Sequence, residues 1–390
     1  MIKRNIAIMY ISVSLYGICS GFLSWFIPIV LYSIGLPILA LTYSLIAVLG
    51  ITLPMVGGVL ADFLGRKIVM IISVIIIEMG LLALYCAFLS SNALLVLIGA
   101  ALFFAGGDVG GPTSRALFME SCDKGNIGRI FSVAATLHTA SMIIGAILFE
   151  HMLNLIPTHG LILIMNLVFA GVVISRFFII ETVQRRHIDR ASIIDRFYET
   201  LKLIATDRKL SRYTSLRMLL FMFGWFWILF PAVLRYDYGF DYELIAMYFS
   251  ISIALSGLPS PIGGVFVDKY GIRKAFIVSI IIDFSLLFSF FIVVGFNPIV
   301  GFLMLVFAAS VTWFEGAAHN VLMFHITDDD HRAQFFGVLD TLGGVAELIS
   351  PWIMYIMYNM NALLALVIPV IVNILVDFFI VIFIYTQNVG

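Results

Sequence analysis

The chain is poor in charge. Of its 390 residues only 12% are Asp, Glu, Lys or Arg, while 62% are hydrophobic and the mean hydropathy is +1.11. A soluble domain carries about 25% charged residues, so a core solvated by water all round is excluded and lipid must be the solvent for much of the surface. The 22 basic and 23 acidic residues leave a formal net charge of −1, which gives no hint of the basic field of a nucleic-acid binder, and no nucleic-acid partner is expected. Cysteine is scarce as well. Cys19, Cys86 and Cys122 match no zinc spacing and no disulfide framework. There is no H-E-x-x-H and no G-x-S-x-G, and "AGGDVGG" at Ala105–Gly111 lacks the lysine of a phosphate loop and lies inside an apolar run. No enzymatic activity, metal or cofactor is therefore expected. Lys3 and Arg4 precede an apolar run as in a signal peptide, but no small-residue cleavage site follows and the run continues to about Val30, which predicts a retained first helix.

What the sequence does contain is long apolar segments. Twelve are marked, at about 5–30, 37–60, 68–90, 93–118, 129–152, 160–181, 213–235, 242–265, 275–296, 299–324, 333–357 and 362–386. Most are near the ~20 residues needed to cross a bilayer, and in lipid a backbone that must satisfy its own polar groups is helical. One polar stretch, Val183–Arg212, divides the chain into six helices plus six. Within it Ile193, Ile194, Phe197 and Leu201 recur at helical spacing, which predicts an amphipathic helix near the membrane surface. The expected organisation is a six-helix bundle over 1–182, a linker over 183–212 and a second six-helix bundle over 213–390: an all-α membrane protein of two pseudo-symmetric halves. With the N-terminus inside, 21 of the 22 basic residues fall in inner loops or at inner helix ends, and only Arg235 lies at an outer end. Cytoplasmic loops collect Lys and Arg, so both termini are placed in the cytoplasm and the protein in the cell membrane.

The halves share a sentence. "GGVLADFLGRK" at Gly57–Lys67 returns 206 residues later as "GGVFVDKYGIRK" at Gly263–Lys274, each in the inner loop between the second and third helix of its half. The loops "MESCDKGNIGRIFS" and "HITDDDHRAQFFG", between helices four and five and between ten and eleven, echo each other more weakly. The first loop resembles the signature G-x-x-x-D-x-x-G-R-[RK] of the major facilitator superfamily, with Gly58, Asp62, Gly65, Arg66 and Lys67 at the matching positions. Gly264, Asp268, Gly271, Arg273 and Lys274 form the second copy. The resemblance spans essentially the whole chain and implies two parallel six-helix repeats, a design known among transporters. It also implies that Asp62 pairs with Arg115 near the inner end of helix four and helps close the inner side. Gly57 and Gly58 are expected to let helix two approach a neighbour closely. The drug-antiporter run G-x-x-x-G-P-x-x-G-G on helix five is absent, as are the sugar-porter strings; Glu181-Thr182 after helix six is a faint echo of one of them.

A charge at mid-membrane costs at least ~2.5–3.5 kcal/mol on insertion scales, so the ionisable residues inside the apolar segments mark candidate function. Asp108 lies mid-helix four; Glu315 lies mid-helix ten, with His319 one turn on. Repeat symmetry carries Asp108 to position 314, beside Glu315. In the resembled family helices one, four, seven and ten line a central cavity, which implies that the two carboxyls face it from opposite halves. Glu315 and His319, four apart on one helical face, form a pair suited to passing a proton. His138 on helix five and Asp340 and Glu347 on helix eleven are further candidates. Glu78, Asp283 and Asp377 lie on helices three, nine and twelve, which the resemblance makes peripheral, and are read as packing or lipid-edge residues. Tyr10, Ser14, Tyr16, Ser20 and Trp25 on helix one and Trp225 and Trp227 on helix seven are possible substrate contacts or packing anchors.

The function expected is a monomeric secondary transporter that moves a small-molecule substrate across the cytoplasmic membrane by alternating access, with a proton as coupling ion. Exporter and importer both fit. A transporter-like sensor or scaffold is the rival from another class, although the longest polar stretch, about thirty residues, is short for an output domain. The topology is testable. In a cysteine-free background, single cysteines at positions 195 and 387 should be labelled by an impermeant reagent only after permeabilisation; labelling from outside intact cells would overturn the orientation.

Overall fold

The computed structural model describes residues 2–121, 127–182, 198, 202, 204–224, 226–257, 259–326 and 332–387. Every regular element among them is an α-helix. In chain order these are α1 (Ile2–Ile34), α2 (Leu36–Leu64), α3 (Arg66–Ser90), α4 (Ala93–Ser121), α5 (Ile127–Leu153), α6 (Thr158–Phe177), α7 (Arg208–Phe223), α8 (Phe226–Tyr236), α9 (Tyr242–Gly257), α10 (Pro259–Tyr270), α11 (Ile272–Val293), α12 (Pro298–Ile326), α13 (Arg332–Met360) and α14 (Ala362–Gln387). The twelve predicted segments each fall on one helix, except 213–235 and 242–265, which fall on the helical stretches α7 with α8 and α9 with α10, either side of residues 225 and 258, which lie outside the described residues. Among the described residues nine helical stretches are long and apolar enough to cross a membrane; Tyr242–Ser256 and Pro298–Ser310 are shorter apolar helices. Large apolar side chains point outward, as the composition requires: Leu167, Phe284, Phe288 and Ile356 are all exposed. The predicted amphipathic helix and the interiors of the two echoing loops (122–126 and 327–331) lie outside the described residues.

The chain divides into two compact units, one of residues 1–188 and 231–250, the other of residues 189–230 and 251–390. In the first, α4 packs between α2 and α3, α1 lies along α5, and α6 covers α3. Lipid offers no hydrophobic drive between helices, so close backbone approach and van der Waals packing decide which faces meet. Gly21 on α1 and Gly145 on α5 show this directly: a Cβ on Gly21 would collide with the Met142 carbonyl, and one on Gly145 with the Ile18 carbonyl. Of the two glycines expected to draw α2 close, Gly57 abuts the Val109 carbonyl of α4, whereas Gly58 faces open space and makes no close approach.

In the second unit α12 packs on α10 and α11, α7 on α13 and α14, and α14 on α11. Tyr213, Phe276, Ala318, Leu322, Val376 and Ile380 belong to its apolar core. The repeated loop has one shape in both units. Gly65 (φ 102, ψ 153) and Gly271 (φ 87, ψ 159) each cap the helix that follows, α3 and α11. That region of backbone space is essentially restricted to glycine, which gives the second glycine of the motif its physical reason.

The α1–α5 contact is testable against a matched control. Gly145→Leu should lower the melting temperature in detergent markedly, since overpacking costs ~1–3 kcal/mol or more. Gly171→Leu on α6, where a Cβ meets nothing within 4 Å, should leave it nearly unchanged. Equal effects of the two would refute the close-contact account.

Candidate functional site

Four helices of the second unit each turn a polar pair, four residues apart, into its core. The pairs are Tyr213 and Arg217 on α7, Ser279 and Asp283 on α11, Glu315 and His319 on α12, and Asn373 and Asp377 on α14. Residues four apart lie on one helical face, so each apolar helix carries a short polar stripe, and these stripes meet. Asp283, Glu315, His319 and Asp377 are all at most 3% exposed.

Hydrogen bonds join the stripes. Ser279 Oγ donates to Glu315 Oε2 at 2.7 Å. Asn373 Nδ2 lies 3.1 Å from Glu315 Oε1 and 3.3 Å from Asp283 Oδ2, bridging the two carboxyls. The Tyr213 hydroxyl lies 3.2 Å from His319 Nδ1. The Phe276 ring meets the imidazole edge-on at 4.9 Å. On the far side of the ring, His319 Nε2 is 3.9 Å from Asp377 Oδ1, and one ligand atom each from Glu315, His319 and Asp377 falls within 4.8 Å of the others. Arg217 acts electrostatically on both Asp377 and His319, and its guanidinium lies over the Phe221 ring at 5.1 Å.

The satisfaction of these groups is incomplete. Among the described residues neither oxygen of Asp377 has a hydrogen-bond donor, nor has Asp283 Oδ1, and His319 Nε2 has no partner within hydrogen-bond distance. The Asp377 and Glu315 carboxyls are within reach of one another, but a bond between two carboxyls needs a proton on one of them. Buried charges are ordinarily paired. Here three carboxyls share one histidine and Arg217, so the cluster is closed only when it holds a further positive charge.

Of the two roles expected for Asp283 and Asp377, packing or lipid edge, their burial in the unit's interior with Glu315 excludes the lipid edge. Its partners Asn373, Ser279, Tyr213 and Arg217 are not among the candidates that the sequence points to. Their signal is the i, i+4 repeat of polar residues in four apolar segments, of which Glu315 and His319 are the conspicuous pair. Glu347 is half-buried on α13, a helix that supplies none of the four pairs. The Asp340 side chain lies outside the described residues.

Asp108 belongs to the first unit. It is half-buried on α4 and within electrostatic range of Tyr16. The Tyr16 ring is stacked between Phe103 at 5.7 Å and His138 at 5.9 Å, and His138 Nδ1 lies 3.5 Å from the Val13 carbonyl. Glu78 on α3 is half-buried, with Cys19 in electrostatic range. Trp25 is fully buried among Phe22, Phe26 and Tyr242, a packing position.

At the repeated loop the side chains of Asp62 and Arg115 lie outside the described residues, and the pairing expected of them with it. A different carboxylate anchors the first copy. Glu181, beyond α6, accepts the backbone N–H groups of Arg66 and Lys67, each at 3.0 Å, which satisfies orphan donors at the start of α3 and places a negative charge at its positive end. Arg66 also pairs with Glu120 at 3.4 Å, and Glu120 accepts from the Thr182 hydroxyl. In the second copy Asp268 and Lys274 are exposed and Arg273 lies over the Tyr385 ring at 5.0 Å.

The family model described as Major Facilitator Superfamily matches residues 9–351. The fold is similar to that of the nucleoside transporter NupG (TM-score 0.77, 14% identity, covering 99% of this chain and 100% of that one). It is also similar to a POT family transporter solved with a thioalcohol-conjugated peptide (0.76, 12%, 99% and 97%) and to the inward-open xylose transporter XylE from E. coli (0.72, 12%, 97% and 95%). No curated protein sequence matches significantly.

The incomplete satisfaction predicts a trade between stability and function. Asp377→Asn removes one of three crowded carboxyls while keeping its shape, and should raise the melting temperature in detergent by several degrees. A fall of the same size would mean that the carboxylate is held by partners that the geometry lacks.

Proposed function

Because the chain belongs to the major facilitator superfamily, we propose that it is a secondary active transporter that carries a small solute across the cytoplasmic membrane by alternating access, coupled to protons through the buried cluster of the second unit. The two sequence halves rock about a midplane site, both termini lie in the cytoplasm, and the chain works as a monomer. The observation that carries the proton reading is the burial of Asp283, Glu315, Asp377 and His319 together with too few counter-charges and too few donors among the described residues.

Three carboxyls in one dry core cannot all be ionised beside one arginine; the protons that the cluster holds belong to the group rather than to a single residue. His319 stands between the Tyr213 hydroxyl and Asp377, where an imidazole takes a proton on one nitrogen and gives one from the other. Glu315 is the centre of the network, with both oxygens engaged by neutral donors, Ser279 and Asn373. When rocking brings water to the cluster from one side, a proton leaves to that side. When water is withdrawn, the uncompensated charge makes proton loss costly and the cluster stays loaded. Asp108, in the other unit, serves the solute.

Proteoliposome transport tests this, using a solute first chosen by a thermal-shift screen of the purified protein. Wild type should accumulate the solute when a pH gradient is imposed. Glu315→Gln should reduce that accumulation to background while leaving gradient-free exchange largely intact. Asp108→Asn should weaken solute affinity more than coupling. A wild type indifferent to the gradient would refute proton coupling.

A further inference from the structure

We infer that the first unit is built to hold the charged nitrogen of an organic ammonium solute at Asp108. This gives a substrate class to the transporter proposed above, and rests on that reading only in taking a solute to enter the site.

The contrast between the two units carries the argument. In the second, the carboxyls stand among one another, with Asn373, Ser279, His319 and Arg217 around them. Asp108 stands apart. It lies within the apolar span Ala93–Ser114, half-buried, and no hydrogen bond or ion pair joins it to the described residues. An unpartnered carboxylate inside an apolar span gains from an incoming positive charge.

Beside Asp108 the helix surface is open on one side. Gly106 and Gly110 are turned toward α3, where a Cβ would press on Ile77 and Ser73, and Gly107 is turned toward α1, where a Cβ would press on the Tyr16 hydroxyl at 3.2 Å; helix packing accounts for all three. Gly111 is not so used: a Cβ there would meet nothing within 4 Å. Across from them on α2, a Cβ at Gly50 would lie 3.5 Å from Asp108 Oδ2. The stack of Phe103, Tyr16 and His138 holds the Tyr16 hydroxyl at this place, a neutral group able to accept a second hydrogen bond from an ammonium. Phe104 and Tyr43, with ring centres 6.3 Å apart, add aromatic surface on the same pair of helices.

The donor set selects the class. A metal ion takes four or more ligands, and one carboxylate with one phenol does not supply them. An anion is repelled, and a neutral solute leaves the carboxylate uncompensated. An ammonium gains a charge-assisted hydrogen bond and brings an apolar body suited to the rings. Arg115, two turns further along α4, has its side chain outside the described residues, and the test treats it as the alternative partner.

The experiment measures charge preference at the site without requiring transport. In protein with Cys19, Cys86 and Cys122 replaced by Ser, Gly50→Cys places a thiol in ordinary contact with Asp108. Gly111→Cys is a second reporter should the first disturb folding. Modification rates with 2-aminoethyl, 2-hydroxyethyl and 2-sulfonatoethyl methanethiosulfonate are normalised to the rates on free 2-mercaptoethanol. The cationic reagent should be favoured over the neutral one by about tenfold or more, with the anionic reagent slowest. Adding Asp108→Asn should abolish the preference, whereas adding Arg115→Gln should preserve or sharpen it. Absence of a cationic preference, a preference indifferent to Asp108→Asn, its loss on Arg115→Gln, or failure of all three reagents to reach both reporters would each overturn the inference. Loss of proton coupling in the liposome assay would leave this result standing, so the two readings fail separately.

Discussion

In hydrocarbon a charge cannot be left to the solvent, and this constraint organises the second unit. Water would screen three carboxyls at little cost. Inside a bundle, each needs a donor or a counter-charge from the protein itself, and four different helices have to deliver them to one point. The polar pairs on α7, α11, α12 and α14 fix how these helices are rotated about their axes, because a turn of one residue, 100°, would carry a carboxyl out of the cluster and an apolar side chain into it. The same residues that hold the core in register leave it short of positive charge. Structure and proposed chemistry are thus two consequences of one arrangement.

Much of the architecture was legible in the sequence because lipid makes a strong demand on it. The lengths of the apolar runs follow from bilayer thickness, and these do not depend on tertiary detail. The repeated loop was legible for a similar reason: Gly65 and Gly271 occupy backbone conformations that other residues do not readily adopt, so the motif survives in both halves.

The candidate site was only partly legible. Glu315 and His319 stood out because they are adjacent on one face of one helix. Asp283 and Asp377 were set aside because fold analogy makes helices nine and twelve peripheral. Peripheral describes a helix, however, and not each of its faces; the inner faces of α11 and α14 are as buried as any in the unit. Asn373 and Ser279 are uncharged and raise no alarm on a hydropathy scale, yet they engage both oxygens of Glu315. Glu181 was read as a remnant of a motif when its work is local, closing the start of a helix more than a hundred residues earlier in the chain.

That last contact has a mechanical meaning. The extended segment after α6 is tied down at successive points: Arg4 donates to the Phe178 carbonyl, Asn5 bonds to both the N–H and the carbonyl of Ile180, Glu181 receives α3, and Thr182 reaches Glu120. These contacts splice the ends of α1, α3, α4 and α6 as a clamp grips a cable. A strain at the end of α6 is thus shared among four helices instead of unwinding its last turn.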